Sequence, residues 1–151
     1  MTGPNHFVGG LVFTGIFTSF WSTNIFSNPW FLSFAMICTQ LPDIDHTKSL
    51  IGKTVYPLAH WLQRNFGHRT ITHSFLFLII GTIGTTVLEV MFIHPQWDYG
   101  RIFFFAVLSH YILDMVTIQG VPLFYPWARN PCVIPGNPDF RLRTNDYKAE
   151  A

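Results

Sequence analysis

Apolar positions fall into four runs separated by polar stretches. Residues 7–26 carry no charge over 20 positions, enough to cross a bilayer. Residues 29–41 form a shorter run, residues 74–93 a long one with a single charge at Glu89, and residues 102–116 another short one. Short runs are accommodated by bilayer thinning or partial embedding, so the pattern predicts four transmembrane or membrane-embedded helices. The polar stretch between the second and third runs contains Pro57-Leu-Ala-His-Trp-Leu-Gln-Arg-Asn-Phe66, with Leu58, Trp61, Leu62 and Phe66 at helical spacing. Pro57 suits a first helical turn and Gly67 a C-terminal cap, which predicts an amphipathic helix lying at the membrane interface. After Val116 the chain is dense in turn formers (Gly120, Pro122, Pro126, Pro131, Pro135, Gly136 and Pro138), and an extended Pro-rich tail is expected. No internal repeat is visible. The expected fold is therefore all-α, a single membrane-embedded domain over residues 1–151.

Composition agrees. Charged residues make up 11% and aromatic residues 17% of the chain, with mean hydropathy +0.29. A soluble domain carries about 25% charged residues. The net charge of +1 gives no reason to expect nucleic acid. Cys38 and Cys132 are too far apart for a zinc finger and too few for a disulfide framework. Cys38, inside an apolar run, reads as a small buried hydrophobe. No basic residue precedes the first apolar run, so no secretory leader is expected and that run is expected to stay in the mature protein.

His110-Tyr-Ile-Leu-Asp114 changes the picture. Four residues apart on a helix puts an imidazole and a carboxylate on one face, one turn apart. Among apolar neighbours such a pair is costly unless compensated. Asp43-Ile-Asp45-His46 and His68-Arg-Thr-Ile-Thr-His73 are two further clusters. With four crossings, the N-terminus, the 42–73 connection and the C-terminal tail share one membrane face, so His6, Asp43, Asp45, His68, His73, His110 and Asp114 all fall there. Asn24–Asn28 and His94–Arg101 fall on the other. Lys48, Lys53, Arg64, Arg69, Arg129, Arg141, Arg143 and Lys148 lie on the ligand face and Arg101 alone on the other, which makes the ligand face cytoplasmic. Trp21, Trp30, Trp97 and Tyr99 on one side, and Tyr56, Trp61, Tyr125 and Trp127 on the other, read as aromatic belts.

Taken alone, His110 and Asp114 would make a structural hydrogen bond, and Asp43 and Asp45 after Pro42 would be solvated acids at a helix stop. Taken together, three carboxylates in a low-dielectric site would have to take up protons. A divalent cation removes that penalty. One aspartate of Asp43/Asp45 then ligates, while the other bridges two ions, orients a histidine or serves as general base; His46 ranks behind both. His68 is expected in the loop after Gly67 and His73 in the first turn of the third helix, with Thr70 as its N-cap. Arg69 suits an anionic group or a lipid headgroup. His60 reads as a surface residue and His94 lies on the wrong face. Glu89 is roughly 24 Å along a helix from His73 and is expected to pair with Arg101. A His/Asp set with no thiolate suits Zn²⁺, with Mn²⁺ or Fe²⁺ as alternatives, in one or two ions that turn bound water into hydroxide near neutral pH.

The segments Leu41-Pro-Asp-Ile-Asp-His-Thr-Lys-Ser-Leu-Ile-Gly52, Phe66-Gly-His-Arg-Thr-Ile-Thr-His-Ser74, Leu108-Ser-His-Tyr-Ile-Leu-Asp-Met-Val-Thr117 and Gly120-Val-Pro-Leu-Phe-Tyr-Pro126 resemble the YdjM-like family, in order and over nearly the whole chain. These are bacterial inner-membrane proteins described as metal-dependent hydrolases, some in the DNA-damage regulon. The resemblance implies a metal-dependent hydrolase site at His6, Asp43, Asp45, His68, His73, His110 and Asp114. A more distant likeness, carried by His110-x-x-x-Asp114, is to zinc-dependent phospholipase C and P1 nuclease, although no histidine follows His110 to supply their later His-x-x-x-Glu. The expectation is an inner-membrane hydrolase of a phosphoester, lipid or lipid-linked, with Asp43, Asp45 and Arg69 in the chemistry and membrane lipids as surroundings. A non-catalytic membrane metalloprotein, or a metal-free adaptor that recruits a partner, is the alternative.

Overall fold

The computed structural model describes residues 3–21, 23–93, 98–137 and 140–141, with side chains from residue 7 onward except that of Ile93. Among the described residues the fold has six α-helices: α1 (Gly3–Ser19), α2 (Pro29–Gln40), α3 (Leu50–Thr54), α4 (Tyr56–Phe66), α5 (Phe75–Leu88) and α6 (Tyr99–Met115). A π-helical turn, Glu89–Ile93, continues α5. Among the described residues there is no strand, only an isolated bridge between Val121 and Cys132.

α6 is the central element and packs against α1, α2 and α5. Its buried Phe103, Ala106, Val107, Tyr111 and Met115 join Cys38 of α2 and Leu78 of α5 in the main core. Small residues let the backbones approach: a Cβ on Gly10 of α1 would sit 2.6 Å from Thr39 Cγ2, and one on Gly81 of α5 would sit 2.3 Å from the Phe103 ring. The polarity of the bundle runs opposite to that of a water-soluble domain. Thr14, Thr18, Thr39, His73, Ser109, His110 and Asp114 are inside, while Val12, Ile16, Phe20, Ile37, Ile80, Ile83, Leu88 and Phe92 face outward.

Residues Phe75–Phe92 are the one helical stretch, among the described residues, long and apolar enough to cross a membrane: 18 residues, mean hydropathy 2.1, and only 11% buried. A core helix of a soluble domain would be mostly buried. The other expected spans fall short of this test. α2 has 12 residues, about 18 Å of helix against an apolar bilayer thickness of about 30 Å, and α6, at 17 residues, carries buried Ser109, His110 and Asp114 towards its C-terminal end.

The first apolar run is not one helix. α1 stops at Ser19 and the chain turns back, burying Ile25 against Ala35 and Ile102. At this end the Thr23 hydroxyl donates to Asp98. Glu89 accepts a hydrogen bond from Gly100 N at 3.1 Å, whereas Arg101 pairs with Asp98 at 2.8 Å. The expected Glu89–Arg101 pair is thus replaced by a carboxylate serving the first turn of α6, whose N–H groups need acceptors. The segment after Val116 is not a free tail either. Val121 exchanges two backbone hydrogen bonds with Cys132, Leu123 O accepts from Phe75 N, and Ile134 N donates to Met115 O. Val121 and Leu123, two positions apart across a tight turn in which Leu123 N donates to Val121 O, both join the core. Their burial holds this Pro-rich segment over the end of the bundle where α2 finishes and α5 begins. His94, Trp97, Pro138, Arg143 and Lys148 lie outside the described residues.

Candidate metal centre

Three short segments bring the centre together. α2 runs directly into a 3-10 turn, Leu41–Asp45, with Pro42 in its first positions; this turn carries Asp43 and Asp45. The loop beyond it is tied by Ser49, whose hydroxyl lies 2.7 Å from Asp43 O and 2.9 Å from His46 O and also accepts from Gly52 N. A Cβ on Gly52 would fall 2.0 Å from His46 O, so only glycine permits this closure. α4 ends at Gly67 (φ 85°), and Arg69 follows at φ 57°, a left-handed conformation that costs a non-glycine residue about 1–2 kcal/mol. A second 3-10 turn, Ile71–His73, then presents His73, and Ser74 caps α5 by accepting from Phe77 N. Thr70, the expected cap, makes no capping bond, because His73 sits in the 3-10 turn before α5 and not in its first turn. The third segment is the last turns of α6, with His110 and Asp114 buried one turn apart.

His73 Nε2 lies 3.9 Å from Asp43 Oδ1 and 3.4 Å from Asp114 Oδ2, and His110 Nε2 lies 3.5 and 3.7 Å from the same two oxygens. Asp43, His73 and His110 each offer a ligand atom within 4.8 Å of the others. Donor–ion bonds of about 2.0–2.2 Å place the corners of a tetrahedron about 3.3–3.6 Å apart; the His73 and His110 nitrogens stand at or slightly beyond that spacing from the two carboxylates, with Asp43, His73 and His110 as the core triad.

The other ring nitrogens are tied from behind. His110 Nδ1 donates to the Thr39 carbonyl at 2.8 Å. A carbonyl only accepts, so the proton of the neutral ring is on Nδ1 and the Nε2 lone pair faces the cluster. The Thr72 hydroxyl donates to Asp45 at 2.6 Å, leaving its oxygen to accept from His73 Nδ1 at 3.0 Å. His73 Nε2, also aimed at the cluster, is buried with no hydrogen-bond partner among the described residues. A buried, oriented and unsatisfied imidazole nitrogen is what a metal ligand looks like before the ion is added.

Asp45 is fully buried and accepts from His68 Nδ1 at 2.7 Å, Arg69 N at 2.9 Å and the Thr72 hydroxyl. Asp114 uses its Oδ1 to accept from Arg69 Nη2 at 2.6 Å, and Arg69 Nη1 donates to Thr117 Oγ1 at 3.1 Å. Burial resists ionisation of Asp43, but its contacts with His110 and His73 outweigh that and bring its pKa down to about 2. Asp45 is held below the usual carboxylate range in the same way by His68 and His73. Burial disfavours the His73 imidazolium, yet Asp114 and Asp45 raise its pKa to about 9. Without an ion, a proton on His73 balances the carboxylates.

The structure thus sorts the expected site residues. Asp43, His73, His110 and Asp114 converge on one point. Asp45 faces that point only through Thr72 and His73, with both oxygens bound by protein donors. His68 pairs with Asp45, stacks on His46 with ring centroids 4.5 Å apart, and meets His73 edge-on at 5.8 Å. Arg69 is spent on Asp114 and Thr117. The backbone of His6 lies in α1, but its side chain is outside the described residues. His60 is exposed on α4 and stacks on Tyr56. Sequence reasoning missed Thr72, Thr117, the Thr39 carbonyl and Tyr111, whose hydroxyl donates to Thr72 O and Ser74 O and pins the His73 turn. Beside the centre lies a cavity of about 530 Å³, with His68 and Arg69 in its wall.

A family model described as YdjM inner membrane protein matches residues 1–144. The chain belongs to the YdjM inner membrane protein family. It is 39% identical over 106 residues to "Inner membrane protein YdjM" of Escherichia coli K12 and to the protein of the same name from Shigella flexneri; the matched stretch is 67% of this chain and 53% of each relative. It is also 31% identical over 126 residues to "Uncharacterized protein YvsG" of Bacillus subtilis, covering 83% of this chain and 74% of that one. This YdjM-family chain therefore spans about half the length of the two YdjM relatives, and the family name sets it in the inner membrane. No solved structure matches, and the likeness to phospholipase C finds no support in these comparisons.

Proposed function

We propose that this YdjM-family chain is a multi-pass inner-membrane hydrolase that uses a divalent metal, zinc first and manganese or iron as alternatives, to cleave a phosphoester at the cytoplasmic face. One observation carries the reading: two tautomer-locked imidazoles and two carboxylates, from three separate segments, aim their donor atoms at one buried point. A divalent ion held there supplies charge stabilisation and a water acidic enough to be hydroxide near neutral pH.

The chain's own residues do the rest. Asp43, only 18% exposed, is the donor nearest solvent. Arg69 fixes Asp114, and Asp45 fixes both the His73 turn and His68. In hydrolysis the water oxygen forms a new bond to phosphorus. The ester P–O bond breaks with its pair on the leaving oxygen, and a proton passes from water to that oxygen. His68, with Nδ1–H held by Asp45 and its ring in the cavity wall, is the group positioned to carry it. Four crossings are favoured by the outward apolar faces of α1, α2 and α5 together, and the cytoplasmic orientation by the basic residues of the ligand end.

A second reading has its own support. Four protein donors would fill a tetrahedral site, as in structural centres, and an ion held by them would clamp the ends of α2, α5 and α6 together. The two separate by experiment. Purified protein is assayed with zinc or manganese against soluble and lipid phosphoesters, beside His110→Ala. Turnover lost in the variant supports the enzyme. Inertness towards all substrates, with an ion that admits no exchangeable water, supports the clamp.

A further inference from the structure

The cavity beside the centre has a chemistry of its own. Its wall carries His68, Arg69, Thr70, Gln119, Tyr125 and Arg129, with no carboxylate among its lining residues. Two guanidinium groups, one of them paired with Asp114, an imidazole, an amide and hydroxyls in one concave surface form a donor-rich lining. At about 530 Å³ it is in the size range of small-molecule pockets, larger than a bare phosphate needs.

The two arginines are not equivalent. Arg69 has both terminal nitrogens committed to Asp114 and Thr117, and its Nε is buried with no hydrogen-bond partner among the described residues. Arg129 is exposed, and its guanidinium carbon lies 5.8 Å from the centroid of the Tyr125 ring. A guanidinium held beside an aromatic ring keeps its edge available for two parallel hydrogen bonds to an anion. The wall is built, not draped. Gly120, at φ 62°, brings the backbone so close to Cys132 O that a Cβ would meet it at 2.5 Å, and the Val121–Cys132 bridge fixes the loop that carries Tyr125 and Arg129.

We propose that this cavity is the recognition subsite for the phosphate of an organic phosphoester, with Arg129 as its principal anion-binding residue. The proposal rests on the hydrolase reading for its biological sense, but the binding itself needs no metal. The phosphate belongs to a lipid headgroup or to a soluble ester, and the probes tell these apart.

Binding of glycerol 1-phosphate in solution, and of phosphatidic acid in mixed micelles, is measured by titration calorimetry on detergent-purified protein, before and after chelation. Arg129→Gln and Arg129→Lys are compared with the parent, and metal content and melting temperature are recorded for each. One or both probes should bind the parent. Arg129→Gln should weaken that binding about tenfold or more, the share of a hydrogen-bonded charge. Arg129→Lys should restore part of it, with metal content and melting temperature unchanged. Binding of the lipid alone assigns the source to the membrane, and binding of the soluble ester assigns it to solution. Arg129-dependent binding in a parent that holds no metal even after reconstitution keeps the subsite while the metal centre fails. Binding indifferent to Arg129→Gln, or no binding of either probe, overturns the subsite whatever the metal content.

Discussion

Replacing Asp45 by Asn separates an organising residue from a ligand. Asp45 is fully buried, and every hydrogen bond it makes is one it accepts: from His68 Nδ1, Arg69 N and the Thr72 hydroxyl. An amide is nearly isosteric but turns one oxygen into a donor, which would face Arg69 N–H and the Thr72 hydroxyl, or His68 Nδ1–H. Hydrogen bonds to a charged group contribute about 1.5–3 kcal/mol each, and disrupting a buried ion pair costs about 3–5 kcal/mol. A loss of about 3 kcal/mol in stability is expected. The Thr72 hydroxyl would no longer be committed to Asp45, so the His73 tautomer would no longer be enforced. Loss of such a supporting contact typically lowers metal affinity about 10–100-fold. Competition with a chromophoric chelator gives the affinity, metal analysis at saturating zinc the stoichiometry, and thermal melts the stability. Asp45→Asn should bind the same number of ions as the parent, more weakly. Unchanged affinity would refute the relay through Thr72, and lost stoichiometry at saturating zinc would make Asp45 a ligand after all.

Further outcomes follow from the same geometry. In metal-free protein the raised His73 pKa stabilises the fold fully below its ordinary value of 6.5, and that contribution is lost as pH rises towards about 9. Zinc must displace the same proton, so melts with zinc should gain on melts without it across that window; a zinc effect independent of pH would contradict the assignment of His73. The lowered Asp43 pKa works the other way, its contribution disappearing as pH falls from 3.8 to about 2. Gly81→Val would drive a side chain into the Phe103 ring, and overpacking of this kind costs about 1–3 kcal/mol; an unchanged melting temperature would mean that α5 and α6 are not packed this closely. Arg69→Ala releases Asp114 and should lower zinc affinity without abolishing binding, as measured by the same chelator competition.

The helices carrying the centre were legible because their signals are local. Pro57 and Gly67 bracket α4, Asn28-Pro29 opens α2, and the i, i+4 spacing of His110 and Asp114 survives into the fold unchanged. The convergence of Asp43, His73, His110 and Asp114 was legible through helix connectivity, since successive antiparallel helices return the chain to one end. What was not legible depends on contacts between segments. Nothing local says that Ser74 and not Thr70 caps α5, because the intervening 3-10 turn is pinned by Tyr111, 37 residues away. The split of the two neighbouring aspartates, Asp43 to the centre and Asp45 to His68, Arg69 and Thr72, is set by a turn whose partners come from beyond α4. The Pro-rich segment reads as a tail by composition, while Val121 and Leu123, two isolated apolar positions too few to stand out, anchor it in the core. The apolar run of residues 7–26 hid a loop because Ile25, which the loop buries, is as apolar as its helical neighbours.

The central claim is that Asp43, His73, His110 and Asp114 hold a divalent ion. Metal content of detergent-purified protein, measured by mass spectrometry beside Asp43→Ala, His110→Ala and the control Arg129→Gln, tests it most directly. The account predicts at least one equivalent of zinc, manganese or iron in the parent and in Arg129→Gln, and loss of it in both ligand variants. A well-folded parent that stays metal-free after reconstitution, or ligand variants that keep their metal, would contradict it.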